Sequence, residues 1–164
     1  MRKSFLFVLL IMVGALIAGC SNDGPITLVD EQGKDVVFEN MERPALVFFF
    51  SGVQWDYCKS QLVELQKKKE LFSQFPGDIY AVSVATVREH KNYKEKLGLD
   101  YPLLSDENLD LIRKVELVDP NSPKSKRGFA VLDKNGKVLH AEEVDPFGDN
   151  AEEVIKFAVQ KLEE

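Results

Sequence analysis

An α/β domain with a mixed central sheet flanked by helices is the fold class this sequence predicts, and three observations carry it. Two apolar runs rich in β-forming residues, "ALVFFFS" from Ala45 and "IYAVSVA" from Ile79, enclose a helical pattern. That order implies two buried parallel strands joined by a right-handed crossover. A late segment, "GFAVLDKNGKVLHAEEV", turns at Asn135-Gly136, the strongest short-range hairpin signal. The chain closes on "NAEEVIKFAVQKLEE", with Val154, Ile155, Phe157, Ala158 and Leu162 near one face of a helix.

The first twenty residues stand outside that domain. Arg2 and Lys3 form a basic tip, Phe5 to Val13 an apolar centre, and Gly14 to Gly19 a region of mostly small residues. These are the three parts of an export signal, which is processed and left out of fold reasoning. The apolar stretch Phe5 to Ala18 has fourteen residues, short of the roughly 20 needed to cross a bilayer core. The ending "LIAGC" resembles the bacterial lipobox. By that resemblance residues 1–19 are removed, Cys20 receives a diacylglyceryl group, 20–24 form a lipidated tether and 25–164 form the domain. Two acyl chains are enough for a stable anchor. The expected location is therefore outside the cytoplasm, lipid-anchored to a bacterial membrane on its periplasmic or outer face.

Within the domain, "ITLVDEQGKDVVF" alternates around a Gln-Gly-Lys turn and predicts an N-terminal β-hairpin. Leu62, Leu65, Leu71 and Phe72, with charges between them, predict a helix closed by "FPGD". "VREHKNYKEKLG" predicts a helix ending at Gly98, and "DENLDLIRKVEL" a further one. Hairpin, strand–helix–strand, helices, hairpin, helix is the layout of a thioredoxin-like α/β sandwich. No spacing suggests the Gly-rich loop of a nucleotide-binding fold, and no repeat is present.

Removing Arg2 and Lys3 from the 21 Lys+Arg leaves 19 against 27 Asp+Glu, a formal charge of −8 on the mature chain. That balance argues against nucleic acid or an acidic membrane surface as the main partner. The 145 remaining residues suit one domain with a real core. With Cys20 lipidated, Cys58 has no partner within the chain, and an unpaired thiol in an exported protein is flagged as reactive or intermolecular. Cys58 follows a polar break, "SGVQWDY", at a strand-to-helix corner. Unpaired amides of a first helical turn favour negative charge there, and the thiolate is the nucleophilic form. The alternative is a buried structural cysteine, a common fate for this residue type.

"CKSQLVELQ", followed by "IYAVSVAT" and by "EKLGLDYPLLSDENLDL", resembles the peroxiredoxin family, alkyl hydroperoxide reductase and thiol-specific antioxidant proteins. The likeness spans residues 24–162 and includes Gln61-Leu62 after the cysteine, Leu97-Gly98, and Pro102-Leu103-Leu104-Ser105-Asp106. It implies that Cys58 is the peroxidatic cysteine and that Arg127, in "RGFAVLD", is the family's catalytic arginine. A guanidinium there stabilises a thiolate and donates hydrogen bonds to peroxide. Two positions depart from the family's Pro-x-x-x-Thr-x-x-Cys: Ser51 stands at the proline and Trp55 at the threonine, both candidates to line the substrate pocket. An indole lacks the hydroxyl that orients peroxide. Asp56 is either a negative charge facing the sulfur or an N-cap. Trp55 and Tyr57 either form a hydrophobic rim or pack on the sheet.

His90 is placed among charges on a solvated helix face, "KKKE" at Lys67 to Glu70 likewise, and no spacing around His90 or His140 makes a metal site. The expected function is a membrane-tethered, single-cysteine antioxidant that reduces hydroperoxides with an external thiol reductant and no cofactor. The alternatives are a non-enzymatic thioredoxin-like binding module and a thiol–disulfide oxidoreductase acting through mixed disulfides.

Overall fold

The computed structural model describes residues 24–164; the expected export segment and Cys20 lie outside the described residues. Seven strands form one sheet: β1 (Thr27–Asp30), β2 (Asp35–Val37), β3 (Ala45–Phe49), β4 (Asp78–Ser83), β5 (Leu103–Ser105), β6 (Gly128–Leu132) and β7 (Val138–Glu143). Four helices accompany them: α1 (Asp56–Lys67), α2 (Val87–Leu97), α3 (Asp110–Lys114) and α4 (Ala151–Glu163), with a 3₁₀ segment at Lys69–Gln74. The strand order is β2-β1-β5-β4-β3-β6-β7. The β3–β4 and β4–β5 pairs are parallel, and the other four pairs are antiparallel. The sheet is therefore mixed, as expected for a thioredoxin-like sandwich.

Alternation along β3 divides the core in two, because successive side chains of a strand face opposite ways. Leu46, Phe48 and Phe50 join α1, Tyr93 of α2, Phe147 and α4 on one face. Ala45, Val47 and Phe49 join Phe38 and α3 on the other. All five residues of β3 are fully buried, so the continuous apolar run is a strand covered on both faces. The β6–β7 turn forms as expected: Asp133 accepts from the amides of Asn135 and Lys137, and Gly136 takes a φ of 74°. Helix α2 starts with a capping box, Thr86 with Glu89, and stops at Gly98, whose left-handed φ of 63° suits glycine.

Three expectations need correction. The helix expected to run from Leu62 through Leu71 and Phe72 ends at Lys67, and Leu71 and Phe72 lie in the separate 3₁₀ segment Lys69–Gln74. The segment "DENLDLIRKVEL" yields only the five-residue α3, because Leu109 enters with a φ of 62° and Glu116 leaves with a φ of 60°. His90 is not solvated. It is fully buried, bonded through Nε2 to Ser83 Oγ (2.8 Å) and through Nδ1 to Ser105 Oγ (3.0 Å). His90 and Tyr93, three positions apart, are the buried residues of α2 and mark its inward side. Lys67 keeps a solvated place beside Glu64, whereas Lys68 reaches across to the carbonyls of Gly148 and Asp149. No helix among the described residues is long and apolar enough to cross a membrane.

Candidate active site

The site is built where β3 hands the chain to α1. After Phe50 the backbone turns at Gly52, with a φ of 143°, and enters the helix through Trp55, which is extended at φ −103° and ψ 124°. Trp55 is the N-cap residue but supplies no side-chain cap. Cys58 is the third residue of α1, on the face that carries Leu62 and Leu65 into the core, and is 1% exposed. Cys58 thus belongs to a first turn whose amides have no partner within the helix. Trp55 and Tyr57 are 54% and 46% exposed, so they form the rim and do not pack on the sheet. Lys124 Nζ lies 5.1 Å above the indole. Asp56 takes neither of its expected roles. Its carboxylate points to solvent and pairs with Lys59 Nζ at 2.5 Å, which holds it below the usual carboxylate range.

Arg127 directly precedes β6, and the register Phe49↔Gly128 sets it against the β3–α1 corner. Its Nη2 pairs with Asp145 Oδ2 at 2.6 Å, and its Nη1 donates to Ser51 Oγ at 3.3 Å. The guanidinium lies 5.1 Å from the Tyr57 ring, and Tyr57 Oη donates to Asp145 Oδ1 at 2.8 Å. Asp145 thus grips both Arg127 and the rim. The hydrogen bond to Asp145 raises the Arg127 pKa, and the reciprocal bond lowers that of Asp145. Two side-chain atoms among the described residues are buried without a partner: Arg127 Nε and Tyr93 Oη. Both lie within electrostatic reach of Cys58. The pKa of Arg127 is raised chiefly by the Asp145 contacts, and that of Tyr93 chiefly by burial, with Cys58 in its ionised form a smaller cause for each. A cleft of about 140 Å³ beside the corner is lined by Ser51, Trp55, Glu89 and Lys124 among others, so both departing motif positions face one space.

The profile of the AhpC/TSA family matches residues 24–141. The chain belongs to the AhpC/TSA peroxiredoxin family. It is 28% identical over 141 residues to the chloroplastic peroxiredoxin Q of Sedum lineare, covering 84% of this chain and 72% of that protein. Against the peroxiredoxin of Thermoplasma volcanium it is 25% identical over 146 residues, 83% of this chain and 66% of the other. The peroxidoxin BcpB of Mycobacterium tuberculosis superposes with a TM-score of 0.69 at 20% identity, over 85% of this chain and 92% of that one. The bacterioferritin comigratory protein of Xanthomonas campestris, a protein with alkyl peroxide reduction activity, superposes with a TM-score of 0.68 at 18% identity, over 82% and 92%. These structural likenesses bear on the fold, which is the thioredoxin-like fold of the peroxiredoxins.

Several residues that carried the family resemblance turn out to hold the scaffold. Gln61 Oε1 accepts from the Gly148 amide at 2.8 Å, tying α1 to the loop that delivers Asp145. Ser105 anchors His90, and Asp106 accepts from the amides of Asp110 and Ile112 (2.7 and 2.9 Å), capping α3. Sequence reasoning missed Asp145 and Tyr93. Tyr93 follows His90 by three positions on the buried side of α2, a spacing that could have placed both indoors. Asp145 carried no such signal.

Proposed function

We propose that this peroxiredoxin is a membrane-tethered thiol peroxidase that works with one cysteine, Cys58, and is recycled by an external thiol. One observation supports this above the others. A guanidinium held by Asp145, Ser51 and the Tyr57 ring keeps a buried N–H, Arg127 Nε, unpaired at the β3–α1 corner from which the helix of Cys58 starts. A donor and positive charge fixed in advance stabilise a thiolate and the charge that develops as the peroxide bond breaks. The thiolate attacks the terminal oxygen of a hydroperoxide. The S–O bond forms as O–O breaks, the electron pair leaves on the alkoxide, and the peroxide's proton converts that to alcohol. A first external thiol then displaces water or hydroxide from the sulfenate to give a mixed disulfide, and a second thiol restores Cys58.

Trp55 provides no hydroxyl to aim the peroxide, so turnover is slow relative to a site that has one. The Cys20 lipid, supported by "LIAGC" behind an export segment, confines this chemistry to a membrane surface. Intact mass of the mature protein should show an acylated N-terminal cysteine and no residues 1–19. The activity test is hydroperoxide consumption by purified protein with a dithiol reductant, which Cys58→Ser should abolish. The 1% exposure of Cys58 favours a second reading, a non-enzymatic binding module. Equal peroxide loss with wild type and Cys58→Ser would establish that reading in place of the first.

A further inference from the structure

Of the two buried donors without a partner among the described residues, the proposed peroxidase chemistry uses Arg127 Nε and leaves Tyr93 Oη without a role. Tyr93 is 6% exposed and projects from α2 into the cluster that holds Cys58 and Leu62. A buried hydroxyl with no partner carries a desolvation penalty and returns nothing, and phenylalanine would fill the same space without it. The thiol of Cys58, in the same buried cluster, is a poor acceptor. Oxidation changes that, because it places an oxygen on the sulfur. We propose that Tyr93 is the donor for that oxygen, its Oη–H hydrogen-bonding the Cys58 sulfenate and holding it until an external thiol arrives.

The inference rests on Cys58 being oxidised as described above. The attack leaves a sulfenate, Cys58 S–O⁻, and an alcohol. A phenol donor on the sulfenate oxygen withdraws charge from the sulfur and so slows its attack on a second peroxide, the step that would yield sulfinic acid. For a chain with no second cysteine among the described residues, such retention bridges the wait for a reductant.

The test uses the full chain, wild type and Tyr93→Phe, each melted in reduced form and after one equivalent of hydrogen peroxide. The masses of Cys58 +16 and +32 are followed during a further peroxide excess. Wild type should gain about 4 °C on forming the sulfenate, whereas Tyr93→Phe should gain nothing and be no less stable than wild type when reduced. Its +32 product should form about tenfold faster. The wild-type shift is read without any variant, so a poorly folded Tyr93→Phe does not remove the test. If Cys58 gains one oxygen but neither readout depends on Tyr93, the inference fails and the peroxidase reading stands. If wild-type Cys58 gains no oxygen, both fail.

Discussion

His90 shows what burial does to a single titratable group. Enclosed by Ser83, Ser105 and the Phe50 ring, its imidazole is pushed down to about 4 by desolvation, against the smaller opposing pull of Glu89 and Glu31. An unfolded histidine titrates near 6.5. Between those values the unfolded chain binds the proton and the folded chain does not, so stability is full above about pH 6.5 and falls as pH drops towards 4. Linkage gives a loss of about 2 kcal/mol by pH 5. Urea unfolding of wild type and His90→Gln at pH 7 and pH 5 should differ by that amount, because glutamine can keep hydrogen bonds to the serines without titrating. At this scale the sequence singled out Cys58, Arg127 and Ser51 as candidates, and the structure brings Ser51 to Arg127. Asp145 was not legible, since its partner Tyr57 lies 88 positions away and only the folded chain joins them.

The start of α1 is the element on which the proposed chemistry hangs. Trp55 occupies its N-cap and offers no acceptor, so Trp55→Thr supplies a cap worth about 1 kcal/mol. It also removes an exposed contact with Lys124 worth about 0.5–1 kcal/mol. The two nearly cancel, so the variant should melt within a few degrees of wild type while forming sulfenate faster, which stopped-flow oxidation under pseudo-first-order peroxide can read. A well-folded Trp55→Thr no faster than wild type would remove the orienting hydroxyl from the account. The turns separate two kinds of glycine. At Gly98 a Cβ meets nothing within 4 Å, so Gly98→Ala should cost about 1 kcal/mol from its left-handed φ alone. At Gly136 a Cβ would stand 1.7 Å from the Phe38 carbonyl oxygen. Gly136→Ala should therefore be the more damaging by a clear margin in thermal melts. Strands β3, β4, β6 and β7 and helices α2 and α4 were readable because their patterns are long. The three-residue β5 was not, being hidden in the "PLLSD" segment that carried the family likeness.

At the scale of the molecule, that short strand matters. Pairing of β5 with both β4 and β1 makes the N-terminal hairpin a continuation of the main sheet, a join that local periodicity could not show. Antiparallel pairing of β3 with β6 is the contact that sets Arg127 against the β3–α1 corner. The sheet thus assembles a cation and a nucleophile from distant segments, and the central claim is that this assembly performs the chemistry. The most direct measurement is the second-order rate at which Cys58 gains one oxygen, followed by mass across hydroperoxide concentrations, in wild type and Arg127→Met. The account predicts a peroxide-dependent rate that falls by about 10² or more in Arg127→Met, with circular dichroism showing the fold retained. Equal rates in the two proteins, or no oxygen on wild-type Cys58, would contradict it.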